Sequence, residues 1–299
     1  MEAFFNAVPG AIGQGLIWGI MAIGVYITFR VLDFADLTVD GTLATGGAAM
    51  VMSMFAGANV YVAMIIAFVA GCLAGLATGL LNTVFGIPPI LSGILTQLAL
   101  YSINLRILGK SNQPLSVYKY DLIVSMTDIT KALIIVAVIA IIVIAVLYWF
   151  FDTEIGHSIR ATGCNQNMAR ANGININLTK IVALVLSNGL VALAGGLLSQ
   201  YQGFADVNMG RGAIVVGLAA VIIGEVIFGK IFKNFALRLL SVVFGGVIYY
   251  IVMQFVISCG LNTDDLKLLT AVIVAIFLGI PYLKNKYAQK RIKVKEVKE

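Results

Sequence analysis

The chain is 299 residues long, 60% hydrophobic and only 11% charged, with a mean hydropathy of +0.99. A soluble domain carries roughly 25% charged residues, so a water-soluble enzyme is excluded and an integral membrane protein remains. The net charge of +6 gathers at the C-terminal end, where Lys284 to Glu299 holds seven Lys or Arg against two Glu.

In chain order, the first apolar run is Ala11 to Phe29. It has no basic stretch before it and no convincing cleavage site behind it, so it is expected to be a retained helix rather than a signal peptide. It leads into VLDFADLTVDG, which sets Asp33, Asp36 and Asp40 between two apolar segments. A carboxylate at the bilayer centre costs roughly 2.5 to 3.5 kcal/mol. Two readings stay open. In the structural one, Asp36 or Asp40 caps the next helix and Asp33 pairs with Arg30. In the other, the aspartates line a translocation path.

The next run, Leu43 to Phe55, is short and rich in glycine, the pattern of a broken or re-entrant helix lining a cavity. Val60 to Phe85, Ile90 to Leu108 and Ala132 to Phe150 are each long enough to span about 30 Å. After the polar segment Asp152 to Lys180 come Ile181 to Tyr201, Ala213 to Phe228, Leu239 to Ile257 and Leu268 to Leu283. The expected fold is all-α: a polytopic bundle of about 8–9 transmembrane helices forming one membrane domain over 1–283, with a basic tail over 284–299.

With nine spans alternating, 14 of the 20 Lys and Arg fall on the side of the central polar segment and the tail. The positive-inside bias makes that side cytoplasmic and the N-terminus external. The tail reads as a solvated segment against anionic lipid rather than a nucleic-acid site. Gly71, Gly75 and Gly79, and likewise Gly15 with Gly19, form stripes that let helices approach closely in lipid.

Chemistry is sparse. GEVIFGKI, Gly224 to Ile231, nearly matches a phosphate-binding loop, but Ile231 stands where a hydroxyl is needed and the stretch continues a helix. The chain is therefore expected to hold no nucleotide, cofactor or metal of its own. His157 is the single histidine, and Cys72, Cys164 and Cys259 lack metal-ligand spacing and read as free thiols. Of the polar residues inside spans, Gln97, Asn104 and Asn188 join Asp36 and Asp40 as candidates for a substrate path. Asn82, Gln200 and Glu225 read as structural, Glu225 paired with Lys230 or another basic neighbour.

Within the central segment, NQNMARANG suits about two helical turns that place Met168, Ala169 and Asn172 on one face and end at Gly173. Such a helix is either a plug for a partner's groove or an ordinary surface helix.

A resemblance decides between them. TEIGHSIRATGCNQNMARANGI, Thr153 to Ile174, is similar to the cytoplasmic loop of ABC importer permeases of the branched-chain amino acid and ribose type. The likeness extends through Ala183 to Glu225, FRVLDFADLTVDG and IPPILSGILTQLALYSINLRILG, and is greatest for a subfamily associated with tryptophan-type or unassigned binding proteins. It implies a type II-like permease of the bacterial cell membrane, a homodimer that works with a cytoplasmic ATPase dimer and an extracytoplasmic binding protein. ATP and Mg would be bound by the ATPase, and the solute would be a small organic molecule, with an aromatic or other amino acid as the leading expectation. Arg160, Ala161, Gly163, Asn165, Met168, Ala169, Arg170 and Gly173 would couple the loop to the ATPase. An ion-coupled carrier using Asp33, Asp36 and Asp40, or a membrane-embedded hydrolase using the same residues, stands as the alternative.

Overall fold

A computed structural model of the chain describes residues 2–260, 268, 270–272, 274–276 and 279. The expected last span therefore lies largely outside the described residues, as does the basic tail. In lipid every backbone N–H and C=O must find its partner inside the chain, and the apolar runs answer by becoming helices. These are α1 (Glu2–Tyr26), α2 (Val39–Phe55), α3 (Val60–Thr83), α4 (Pro89–Leu108) and α5 (Ile129–Phe151), then α6 (Glu154–Cys164), α7 (Gln166–Ala171), α8 (Ile176–Gln202), α9 (Ala213–Phe228) and α10 (Phe235–Ser258). Among the described residues, six are long and apolar enough to cross a membrane: α1 with the turn that follows it, α3, α4, α5, α8 and α10. Helix boundaries follow local chemistry. Pro89 opens α4 where its missing N–H costs nothing, and Gly109 closes it in the left-handed conformation at φ 71°.

Glycines set the packing. In α3, a Cβ on Gly71, Gly75 or Gly79 would run into Asn188, Leu184 and Ile181 of α8, so this stripe is the seam between the two helices. Gly15 and Gly19 of α1 lie in the same way against Val247 and Val243 of α10. α1 and α8 are mostly buried and form the centre, whereas α5 exposes most of its length.

The bundle has two ends. At one lie α6, α7 and the α9–α10 turn; we call this the loop end. At the other, a two-stranded antiparallel ribbon, β1 (Asn112–Pro114) and β2 (Phe204–Asp206), pairs Asn112 with Asp206 and Pro114 with Phe204. From β2 the chain dips back into the bundle, placing Met209 against Gly47 and Gly210 against the Asp40 carbonyl. Helix α9 starts from that depth. With 16 residues it spans only about 24 Å at 1.5 Å per residue.

The short helix expected over Leu43 to Phe55 begins earlier, at Val39, and takes in Asp40. Before it, α1 ends in a five-residue π-helical turn, Ile27–Val31, after which Asp33 adopts the left-handed conformation at φ 55°. The Phe34 N–H returns to the Thr28 carbonyl at 2.9 Å and closes this turn. Aspartate tolerates that conformation better than most side chains.

Candidate functional site

Two groups of functional candidates lie in different surroundings. The first is the junction where α2 begins. Asp36 is 1% exposed. Its Oδ1 accepts from the Thr38 N–H at 2.9 Å and its Oδ2 from Asn188 Nδ2 at 2.7 Å. Asn188 sits near the middle of α8; its Oδ1 accepts from the Thr42 hydroxyl at 2.7 Å and its Nδ2 also donates to the Leu184 carbonyl at 3.0 Å. A row of hydroxyls continues outward, Thr38 to Thr78 at 2.7 Å and Thr78 to Thr96 at 2.9 Å, so α2, α3, α4 and α8 share one buried polar chain. Every side-chain polar atom of Asp36 and Asn188 is thus committed to a protein partner. Buried polar groups so committed hold a packing arrangement in place.

Asp40 does something the sequence did not suggest. Rather than capping its own helix, it reaches across to α9, accepting from Gly212 N–H and Ile214 N–H at 2.9 Å each. A carboxylate at the positive end of a helix satisfies donors that otherwise have no acceptor. The N-termini of α2 and α9, two shortened helices, therefore meet at Asp36 and Asp40 deep in the bundle. Asp33 takes no part: it is exposed, and the pair expected between it and Arg30 does not form. Arg30 Nε instead meets Glu225 Oε1 at 2.8 Å, so of the two partners expected for Glu225 it is another basic neighbour, and not Lys230, that pairs with it. Among the described residues no group of three His, Cys, Asp or Glu converges, and the three aspartates have gone separate ways.

The other two path candidates sit on α4 and differ from Asp36. Asn104 is fully buried and donates to the Gly41 carbonyl at 3.3 Å, while its Oδ1 has no partner among the described residues. Gln97 is half-buried, with its backbone against Gly41. The sequence missed Thr38, Thr42, Thr78 and Thr96. The hydroxyls of Thr42, Thr78 and Thr96 also lie within hydrogen-bond distance of the carbonyl four residues back, Thr42 and Thr78 sharing their single proton between the two acceptors. Such threonines inside apolar helices are the only signal that could have flagged them.

The second group is the loop. Thr153 Oγ1 accepts from the Gly156 N–H to start α6, and Asn165 Oδ1 accepts from Asn167 N–H and Met168 N–H, each at 3.0 Å, to start α7. Gly173, at φ 79°, ends it. Asn165 and Gly173 thus shape α7 from either side. Helix α6 is fixed to the bundle. The Arg160 guanidinium lies 4.3 Å from the Phe235 ring centre and 5.4 Å from that of Phe151. Thr162 and Thr179 join their hydroxyls at 3.0 Å, and Gly163 rests on the Val31 carbonyl, where a Cβ would collide. Ala161, half-buried, shares this helix.

Helix α7 corrects the expected face. Ala169 is 0% exposed and turned into this chain, whereas Met168 is 53% exposed and Asn172 is open with it. Residues one apart on a helix point about 100° away from each other, so Met168 and Ala169 cannot serve one surface. What α7 offers outward is Met168, Arg170 and Asn172.

The family model described as the permease component of branched-chain amino acid transport systems matches residues 9–281. The chain belongs to this family. It is 41% identical, over 92% of its own length and 91% of the relative's, to a tyrosine transport system permease protein of Clostridioides difficile. It is 29% identical, over 81% of its length and 70% of the relative's, to the D-allose transport system permease protein AlsC of Escherichia coli. Among solved structures, PsaBC from Streptococcus pneumoniae in complex with Fab is similar in fold, with a TM-score of 0.54 at 17% identity over 96% of this chain and 100% of that one. The permease is the membrane subunit of an ABC importer, a transport component rather than an enzyme, and this membership implies an ATPase and a binding protein as partners.

Proposed function

We propose that this permease imports an amino acid with an aromatic side chain, tyrosine being the first candidate, as a type II-like homodimer whose loop end faces the cytoplasm. The 41% identity to the tyrosine transport permease supports the solute class. The bias of positive residues supports the orientation. In this reading α7 docks into a groove of the ATPase through Met168 and Asn172, and Arg160, Gly163 and Thr162 transmit its movement to the bundle. Gly163 touches Val31, and five residues further along the chain lies Asp36 at the junction. The coupling path is thus short and continuous in the chain.

Asp36, Asp40 and Asn188 are holding residues in this account, since their bonding capacity is used by the fold. Gln97 and the Oδ1 of Asn104 keep capacity unused among the described residues, and these are the side chains we assign to the solute path. One observation carries the coupling role: a capped six-residue helix, seated on the bundle through Ala169, that exposes the apolar side chain of Met168.

The test is uptake into vesicles holding the permease and its ATPase, with binding protein and radiolabelled tyrosine outside and ATP inside. ATP-dependent accumulation that unlabelled tyrosine or phenylalanine competes away is expected. Accumulation of a sugar with no response to aromatic amino acids would overturn the solute class, and uptake indifferent to ATP would overturn the coupling.

A further inference from the structure

At the loop end a cavity of 520 Å³ opens between the ends of α1, α5 and α10 and the outer side of α6. Pockets of roughly 300–1,000 Å³ are of the size that takes a small molecule or a headgroup. Its charged lining is Arg30, Arg160, Lys233 and Arg238 against the single carboxylate of Asp152. Arg30 is held by Glu225, but among the described residues Arg160, Lys233 and Arg238 form no ion pair. Arg160 Nε is buried without a hydrogen-bond partner, its plane fixed by the ring of Phe235.

The same cavity receives the start of α10. Asn234 makes no side-chain cap bond, and the first helical bond runs from Arg238 N–H to the Asn234 carbonyl at 2.9 Å. The three N–H groups before it thus have no acceptor within the helix, and the helix presents its positive end beside three cations that make no ion pair among the described residues. These features converge on an anion with several acceptor oxygens.

Its source follows from the level at which the cavity lies. Tyr148 lines it, and Trp149, 71% exposed, stands next to it at the end of α5. Along that helix Ile134, Val138, Ile141, Ile142 and Val146 are exposed apolar side chains of a lipid-facing surface. Aromatic residues at the end of such a surface mark the headgroup layer. The geometry points to a binding site for the phosphate of an anionic phospholipid headgroup, taken from the leaflet at the loop end and gripped by Arg160, Lys233 and Arg238. Basic pockets between spanning helices recognise anionic headgroups by this chemistry. None of the residues lining it belongs to the proposed solute path.

The full chain, purified in a zwitterionic detergent, is mixed with equal amounts of phosphatidylglycerol and phosphatidylcholine, and the retained lipid is counted by native mass spectrometry. Preference for phosphatidylglycerol by about tenfold is expected, and the double variant Lys233→Gln, Arg238→Gln should bring it near unity while phosphatidylcholine is retained as before. Both residues are exposed, so folding is expected to survive. Arg238→Lys, which keeps the charge, should keep most of the preference, and Lys233→Gln alone should lose part of it. A preference unchanged in the double variant overturns the site. Absence of lipid preference together with saturable binding of inorganic phosphate would make it a free-phosphate site. Absence of lipid preference with loss of the co-purifying ATPase in the double variant would give the cavity to an acidic segment of that partner, and either result overturns the lipid.

Discussion

The α2 junction and the α6–α7 loop are both polar interruptions of an apolar chain, and they spend their polar groups in opposite ways. At the junction, Asp36 and Asn188 face each other across 152 residues of sequence and leave no side-chain oxygen or nitrogen unbonded. In the loop, Asn165, Thr153 and Gly173 act only on their own neighbours, shaping short helices and leaving Met168 in the open. Polar groups buried in lipid must be satisfied internally, whereas groups at the water boundary are free to be offered to a partner. In the proposed function the junction therefore bears on stability and the loop on association.

Asp36→Ala strikes this contrast hardest. It leaves the Thr38 N–H and one proton of Asn188 Nδ2 without acceptors, at about 1–3 kcal/mol for each buried donor. Folded yield and thermal midpoint should fall sharply, and Asp36→Asn, with one acceptor in place of two, should fall between. A midpoint unchanged in Asp36→Ala would mean that the junction does not hold the fold.

Ala169→Glu should come next. It forces a carboxylate into a position with no exposure, at a cost of several kcal/mol, but only the loop depends on that position. Limited proteolysis should show cutting within Thr153 to Asn175 while the bundle stays intact. Protection equal to the unaltered chain would show that α7 is not anchored through Ala169.

Met168→Glu sharpens the other side. The exposed side chain has no folding role, so the thermal midpoint should stay put, while retention of the ATPase should drop about tenfold, equivalent to roughly 1.4 kcal/mol. Undiminished retention would move the docking surface away from the tip of α7.

The smallest effect belongs to Arg30 and Glu225, whose side chains are 56% and 31% exposed. Screening by solvent limits such a pair to about 0–1 kcal/mol. A double-mutant cycle with Arg30→Gln and Glu225→Gln should give a coupling inside that range that shrinks with added salt; a larger value would make this contact part of the mechanism.

Much of the loop was legible before any coordinates. Gly173 as a helix end and the helix over Gln166–Ala171 both follow from local chemistry, since capping depends on residues only a few positions apart. The face of that helix was not legible. Ala169 is small enough to sit on either side, and only the bundle beneath decides that it points inward. The same limit applied to the aspartates: the sequence showed that they need partners, and the nearest charge, Arg30 beside Asp33, was the wrong one.

The sequence by itself determined that this is a helical membrane permease, and which loop carries the family pattern; among the described residues its apolar runs begin and end within five residues of their helices, except that α1 starts nine residues before Ala11. Hydropathy, helix caps and glycine spacing act over one to four turns, so they can be read along the chain. Only the tertiary structure decided that Asp40 caps α9, 172 and 174 residues away, and that Asp36 bonds to Asn188. A buried carboxylate is satisfied by whichever donor the folded bundle brings within about 3 Å, and that donor belongs to a helix whose position is set by packing.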